Sequence, residues 1–478
     1  MQQQEIKPNA FDMSVAQDLM KCATKYGLDL SGGKIRRSSS RFCLGVEHGD
    51  YNGTPLFGVG CDRYIWCAFK ANGTDTVRMV SMTYPCPVSD NGVVKFKVGT
   101  VPEPGTKEHD KFKDSWARFP YGVDWVLRKK GYTLKSGFDC VIFSNIPGGG
   151  MSRSASLGIN LVLTTMEVNG HEIPSGKDRY EIVELAQSVE NDYIGSPCGN
   201  LDQVMILYAR DGYGTHFVPS KGCSDKEPRG GTVTYIPLGG GTYFARTISL
   251  QQTHFTHTNT GLSAEDFRIV ALDTGTDRPG LEKSTYAIRS RECKQFTKML
   301  GSDDAITKMR SGSAVKFLSD IDTSELFDAV MKKYSTTHAN LCDRLRYIYF
   351  ANQRFKKLMR AWSMGDLATV GAVFREDGHG LRDEYDISGP ELETMCNIVR
   401  TVPGCLGERM LGGGDKGAAG ALAKAGSEDS IRSVVNLAYP RAYPALKSKY
   451  KVHVCKFAQG IAVFEGLLNS SNDDTKKQ

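Results

Sequence analysis

No stretch of this 478-residue chain approaches the run of about twenty apolar residues that spans a bilayer, and its opening, MQQQEIKPNAFD, is too polar for a secretory signal. A soluble, cytoplasmic protein is expected. Metal-like cysteine spacing is missing too: the thirteen cysteines form no CxxC pair, and their odd number argues against a complete disulfide framework. Free thiols in a reducing compartment are the economical reading. An excess of one charge is also lacking, since 60 Lys and Arg against 54 Asp and Glu leave +6 without a basic tail or block. Neither nucleic acid nor a membrane surface is implied. The mild positive balance suits an anionic small ligand such as a nucleotide, and equally a solvated basic surface. Internal repeats, low-complexity domains and sustained heptads are absent, and the C-terminal NSSNDDTKKQ, which lacks a Ser-Lys-Leu ending, reads as a disordered tail.

Two familiar nucleotide motifs are absent as well, and the segment that misses them is the most informative of the chain. PGGGMSRSASLG (147–158) follows the short strand-like run Cys140, Val141, Ile142 and Phe143, and leads into Leu157, Ile159, Leu161, Val162 and Met166, whose spacing suits a buried helix. No Lys-Ser/Thr pair follows, as a Walker A loop needs, and Arg153 stands at the last glycine position of a GxGxxG match. What remains is a glycine loop meeting a helix N-terminus. Gly148, Gly149 and Gly150 let the backbone approach an anion without Cβ clashes, while unpaired N–H groups carrying about half a positive charge attract phosphate. Ser152, Ser154 and Ser156 would add donors or a magnesium ligand. The plainer alternative is a glycine-rich turn with a serine N-cap.

Around this loop the pattern is α+β. A helix is predicted over 15–26, ending at Gly27, and strand-like runs LFGVG, RYIWCAFK, VRMVSMTY and VVKFKVG follow between Arg41 and Gly99, separated by turn residues. Helices are predicted over 115–130 and 177–193. The Gly-, Lys-, Asp- and Pro-rich stretch 222–241 is either a domain boundary or an inserted loop, and the boundary reading divides the chain into 1–230 and 231–478. Beyond it lie a strand over 268–273, a helix holding Tyr286 and Cys293, and a long core helix over 339–362 with Leu341, Leu345, Ile348, Phe355, Leu358 and Trp362 near one face. A second glycine cluster, GERMLGGGDKGAAGALA (407–423), precedes a helix and the strand-like KVHVCKF.

Two further clusters carry chemistry. RFCLGVEHGDYNG (41–53) gathers a cation, two carboxylates, an imidazole and a phenol, which suit a polar ligand, although DYNG alone also reads as a solvated hairpin turn. ENDYIGSPCGNLDQV sets Glu190 near a helix end and Asp202 after a Pro-Cys-Gly turn, where a buried carboxylate would serve as a base and an exposed one as an Asx turn or N-cap. His254 and His257 lack metal-like companions and read as surface residues.

The order of these segments resembles the galactokinase branch of the GHMP kinases over nearly the whole chain. RFCLGVEHGDYNG looks like the sugar-binding signature, GGGMSRSASL like the phosphate loop, and GSPCGNLDQ like the segment bearing the catalytic aspartate; WARFPYGV (116–123), DTGTDRPGLEKSTYAIRSREC (273–293), GHGLRDEYDISGPEL (378–392) and GERMLGGG (407–414) continue it in order. The resemblance implies two α+β domains with the active site in the cleft between them, and transfer of the γ-phosphate of Mg-ATP to the anomeric hydroxyl of galactose. A galacturonate or arabinose 1-kinase, or a sugar sensor with little turnover, are the alternatives. Asp202 matches the catalytic carboxylate and Arg41 its cationic neighbour; Glu47, His48, Asp50, Gly199 and Tyr286 match sugar contacts. Gly148, Gly149, Gly150, Ser152, Arg153 and Ser154 match the nucleotide loop, and Ser154 with Glu190 the magnesium ligands, Ser152 being the alternative hydroxyl.

The departures are specific. Arg153 breaks the serine trio, where it either pairs with a phosphate oxygen or turns away to a carboxylate. Cys43 stands where the family usually has Asn, Gly45-Val46 where it has Ile-Gly, and Asp415-Lys416 where it has Phe-Gly.

Overall fold

Strand β1 (Lys34–Gly45) organises the larger of two sheets, pairing antiparallel along its length with β2 (Leu56–Ala71). The computed structural model describes residues 6–84, 86, 89, 91–221, 230–238, 241–249, 253–260, 266–276, 284–414 and 416–469, with backbone only for 177, 241–249 and 253–260. On one side of β2 come β5 (Phe138–Ser144), then β3 (Thr76–Ser81) parallel to it, then β4 (Val94–Lys97). From the start of β2 the sheet continues antiparallel through β6 (Tyr213–Pro219), β7 (Gly231–Pro237), β8 (Gly241–Ser249) and β9 (Thr253–Thr260). The smaller sheet is antiparallel, with β11 (Cys405–Met410), β12 (Ala418–Lys424), β10 (Phe267–Asp273) and β13 (Lys451–Cys455) in that spatial order. The chain then returns to the first sheet as β14 (Ile461–Glu465), antiparallel to β1.

Two expectations change. LFGVG and RYIWCAFK are one strand, because Asp62 and Arg63 leave the ladder as a bulge between the pairs Ser40 with Cys61 and Ser39 with Tyr64. Arg63 absorbs the interruption by donating to the Asp62 carboxylate and to the Val454 carbonyl. The boundary at 230/231 falls inside the larger sheet, since β6 and β7 pair from Tyr213 with Pro237 to Pro219 with Gly231. A cut there would sever a ladder, and the change of sheet comes only between β9 and β10. The sequence shows a composition shift at the turn, but pairing across it is a long-range fact.

The helix Arg153–Val168 explains why β1 stays in place. Twelve of its residues, from Ala155 to Met166, are buried on every side, which is how a helix inside a protein differs from a one-faced surface helix. Its polar groups therefore need partners: the Ser156 hydroxyl donates to Ser38 Oγ, and the Asn160 amide donates to the Arg36 carbonyl and to Ser38 Oγ. In the second half, the long helix Ala339–Met364 buries all six expected apolar positions, and Leu367–Asp383 packs behind β11. Phe374 of that helix stacks on Phe42 of β1 at 5.7 Å between centroids, which ties the second sheet's helices to the first sheet. The tail 470–478 and the C-terminal part of the 222–241 stretch at 239–240, like 222–229, lie outside the described residues.

Candidate active site

The glycine loop leaves β5 and enters the helix Arg153–Val168, as expected, but its serine does not cap. Ser152 adopts a left-handed conformation with φ 59°, makes no side-chain cap bond, and its buried Oγ has no hydrogen-bond partner among the described residues. A helix start that is not capped by its own chain keeps N–H groups available to an anion. Gly148 is exposed and its N–H reaches Asp273 Oδ2 at 3.3 Å. Gly149 is buried, and Gly150, with φ 80°, is packed so closely that a Cβ there would lie 3.0 Å from the Ala418 Cβ and 3.1 Å from the Leu411 Cβ. Only glycine suits both that angle and that space. The second glycine cluster thus presses on the first: a Cβ on Gly412 (φ 68°) would lie 3.1 Å from the Gly150 Cα and 3.3 Å from Arg41 Nη2.

Arg41, 2% exposed, is where the loops and the strand meet. It donates through Nη1 to the Gly150 carbonyl at 2.7 Å and pairs with Asp202 Oδ1 through Nε at 2.8 Å and Nη2 at 2.6 Å. Burial alone would lower the guanidinium's pKa, but Asp202 and Glu47 outweigh it and raise it, so Arg41 stays charged. Asp202 sits in the first turn of the short helix Leu201–Leu207, after Asn200, with its side chain one-third exposed. It is neither an Asx turn nor the cap. A carboxylate that is anchored on one side by an arginine and open on the other is arranged to accept a proton from a bound hydroxyl.

Beside it, the solvated-turn reading of DYNG gives way to a half-buried one: Asn52 and Gly53 are buried, Asp50 and Tyr51 partly so, and Glu47 and His48 just before them are 2–3% exposed. Glu47 Oε1 accepts from the Gly412 N–H at 2.9 Å and lies 3.7 Å from Arg41 Nη1. Burial nevertheless pushes its pKa up, against the pull of both nearby arginines, Arg41 and Arg409. Asp50 accepts from the Leu201 N–H at 3.0 Å, and a Cβ on Gly199 would fall 1.9 Å from Asp50 Oδ2. Burial, with Asp202 nearby, pushes Asp50 up to about 6 despite that backbone bond. The Tyr286 hydroxyl accepts from the Gly199 N–H at 3.3 Å, and its ring lies 5.2 Å from that of His48. Glu47, His48, Asp50, Gly199 and Tyr286, the five residues the resemblance assigns to the sugar, therefore lie together.

Ser154 and Glu190 also come together. Glu190 lies in the π-helical turn Val189–Ile194, which ends the helix predicted over 177–193 in place of another α-turn. Burial first, and Asp202 second, push its carboxyl up to about 7, while hydrogen bonds from Ser154 and Gln203 pull the other way. A hydroxyl and a carboxylate facing a second carboxylate form an oxygen donor set suited to a hard dication, which would neutralise that excess negative charge. Among the described residues no three His, Cys, Asp or Glu form a metal cage.

Arg153 makes no ion pair among the described residues; its guanidinium lies 4.3 Å over the Tyr84 ring, with Asp273 close enough to feel its charge. Cys43 is buried and its carbonyl accepts from Arg409. Lys416 has φ 82°, a conformation that favours glycine and costs an L-residue about 1–2 kcal/mol; Asp415 and the side chains of His254 and His257 lie outside the described residues. Sequence reasoning counted the Tyr51 phenol in its cluster without giving it a role, and missed Tyr385; their hydroxyls meet at 2.8 Å while Tyr51 also meets His48 Nδ1 at 2.8 Å. It missed Gln203 and Arg409 too. Both stand inside quoted motifs, GSPCGNLDQ and GERMLGGG, so the signal was present and only the geometry was not.

Residues 119–210 match the model of the GHMP kinase N-terminal domain. The chain is similar to a galactokinase of Limosilactobacillus fermentum, 26% identical over 394 residues that cover 82% of this chain and 86% of that one. It is likewise 26% identical to a galactokinase of Clostridium acetobutylicum, over 89% of this chain and 94% of that one. Its fold is similar to that of Lactococcus lactis galactokinase in complex with galactose, with a TM-score of 0.72 at 23% identity, covering 94% and 99% of the two chains. Methanococcus jannaschii mevalonate kinase matches with a TM-score of 0.53 at 14% identity, covering 89% and 98%.

Proposed function

We propose that this chain, which carries the GHMP kinase N-terminal domain and is similar to galactokinases over most of its length, transfers the γ-phosphate of ATP to the anomeric hydroxyl of galactose. The observation that carries the reading is the position of the Arg41–Asp202 pair, with Arg41 bonded to the glycine-loop carbonyl at Gly150 and Asp202 next to Leu201, whose N–H is held by Asp50, and three residues after Gly199. Asp202 takes the hydroxyl proton, or orients that hydroxyl, as phosphate is transferred; in loose phosphoryl-transfer transition states positioning carries much of the catalysis. Arg41 fixes the orientation of Asp202 through its two-nitrogen contact and opposes the charge that builds on the phosphoryl oxygens. Gly148, Gly149 and Gly150, the helix N-terminus and the Ser152 hydroxyl, which has no partner among the described residues, receive the phosphates, and Arg153, the next residue after Ser152, adds a cation. Magnesium bound by Ser154 and Glu190 would withdraw charge from the phosphates. Asp50, His48, Tyr286 and the backbone at Gly199 hold sugar hydroxyls.

Substrate choice rests on charge. Asp50, Glu47 and Asp202 make the pocket acidic, which favours neutral hydroxyl donors over a uronate carboxylate. Arg409 does not relieve this, because it is fully buried and committed to Asp377 and the Cys43 carbonyl. A cytoplasmic location follows from the cysteine usage and is part of the same proposal; among the described residues no helix is long and apolar enough to cross a membrane. The test is ADP release by the purified chain with galactose, galacturonate and arabinose. Galactose is expected to give the highest kcat/KM, and a higher value for galacturonate would overturn the assignment.

A further inference from the structure

Glu47 is the midpoint of a buried row of alternating charges that runs out of the site into the second half of the chain. Asp202 pairs with Arg41, and Arg41 Nη1 lies 3.7 Å from Glu47 Oε1. On the far side of the same Oε1, at 4.0 Å, is Arg409 Nη2 of β11. Arg409 Nη1 pairs with Asp377 Oδ2 on the helix Leu367–Asp383, and Asp377 Oδ1 accepts from Arg354 Nε, on the helix Ala339–Met364, at 3.1 Å. The row holds three carboxylates and three guanidinium groups, and five of its six side chains are at most 10% exposed.

The fold makes room for it at specific places. A Cβ on Gly378 would lie 2.5 Å from the Arg409 Cβ, and one on Gly380 would lie 2.8 Å from Arg354 Nη2. Two glycines within one helix, where the residue is ordinarily unfavourable, are thus explained by close approach of the two arginines. Aromatic faces line the row: Arg409 lies 4.5 Å over Phe374 and Arg354 5.6 Å over Tyr347, whose hydroxyl donates to the Glu47 carbonyl at 3.0 Å. Arg409 also donates to the Cys43 carbonyl at 3.0 Å, so it grips β1 two residues from Arg41.

Buried like charges repel strongly and buried unpaired ones are costly, so the placement of each member depends on its neighbours. We infer that Arg409 and Asp377 are positioning residues of the sugar pocket, setting Glu47 and Arg41 from behind through this row. The inference rests on the reading of that pocket as a sugar site. Asp377 itself touches nothing in the pocket. Removing its charge leaves three cations against two anions, and Arg409 is then drawn onto Glu47, which shifts the carboxylate and its partner Arg41. Removing Arg354 as well restores the balance of the four members that remain.

The test compares wild type, Asp377→Asn and the double variant Asp377→Asn/Arg354→Met, measuring kcat, KM for sugar, KM for ATP and calorimetric sugar affinity without nucleotide. The single variant is expected to raise KM for galactose about tenfold or more while KM for ATP changes less than about twofold, the scale at which small misplacements act. The double variant is expected to recover much of the loss. A merely structural role would lower thermal stability and leave sugar KM unchanged, or move both KM values together, or leave the double variant worse than the single; any of these overturns the inference. Turnover and galactose binding by wild type are read first. Wild type that binds galactose without phosphorylating it refutes the kinase reading alone, and the row is then decided by the calorimetric comparison; wild type that neither binds nor phosphorylates a sugar overturns both.

Discussion

Arg41 meets Asp202 through two nitrogens that reach one oxygen, with Nε at 2.8 Å and Nη2 at 2.6 Å from Oδ1. The guanidinium therefore approaches by its Nε/Nη2 side with both nitrogens on one oxygen, and the contact fixes the carboxylate without occupying its second oxygen. Asp202→Asn keeps the shape but loses the charge and the proton acceptor. Turnover is expected to fall by about 100- to 10,000-fold, the usual range for a general base, while calorimetry finds sugar and nucleotide affinity changed little. Near-wild-type turnover would remove Asp202 from this role.

Gly199→Ala is expected to act through Asp50. The added Cβ would lie 1.9 Å from Asp50 Oδ2, so the carboxylate must leave the Leu201 N–H it now accepts from. KM for sugar should rise about tenfold or more, consistent with losing a positioned polar contact, and KM for ATP should not follow. Equal shifts in both would place the damage in the backbone of the loop.

Arg153 rests on Tyr84 at 4.3 Å, a contact worth about 0.5–1 kcal/mol at an exposed site. If that ring holds the guanidinium beside the phosphate loop, Arg153→Ser and Tyr84→Ala should both raise KM for ATP, the arginine variant more, with sugar KM unaffected. An unchanged KM for ATP in Arg153→Ser would make the arginine a surface feature.

Sugar affinity should depend on pH through Asp50, whose burial lifts its pKa to about 6 from about 4 in an unfolded chain. The folded state holds this proton more tightly, so the group's contribution to stability is greatest in acid and is lost as pH rises between those values. Accepting sugar hydroxyls instead favours the ionised form. Nucleotide-free affinity for galactose should therefore increase as pH rises through about 6, and Asp50→Asn should flatten that increase. A wild-type affinity that is level from pH 5 to 7 would contradict the assignment.

The glycine loop, the strand before it and the helix after it were legible because each depends on neighbours in the chain: a run of apolar residues, three glycines, and a period that suits a helix. The residues of the pocket were legible as well, but only through the order of seven segments, since Glu47, Asp50, Glu190 and Asp202 taken one by one read equally well as turns and caps. That order brought Ser154 to Glu190 and Asp50 to Gly199 before any geometry was known. It did not supply what Arg153 does, and the Tyr84 ring beneath it is nearly seventy positions away in the sequence.

Composition placed a boundary at 230/231, where the chain runs on through paired strands, because turn-rich sequence marks where a strand ends and says nothing of which sheet the next one joins. The sequence by itself determined local conformation and the inventory of chemical groups. The tertiary structure alone decided that Ser152 would leave its helix uncapped, that β14 would close on β1, and that Glu47 would stand between Arg41 and Arg409. Helix and turn preferences act over a few residues, whereas a buried charge is settled by whichever partner the packed chain brings within about 4 Å, here from more than three hundred residues away.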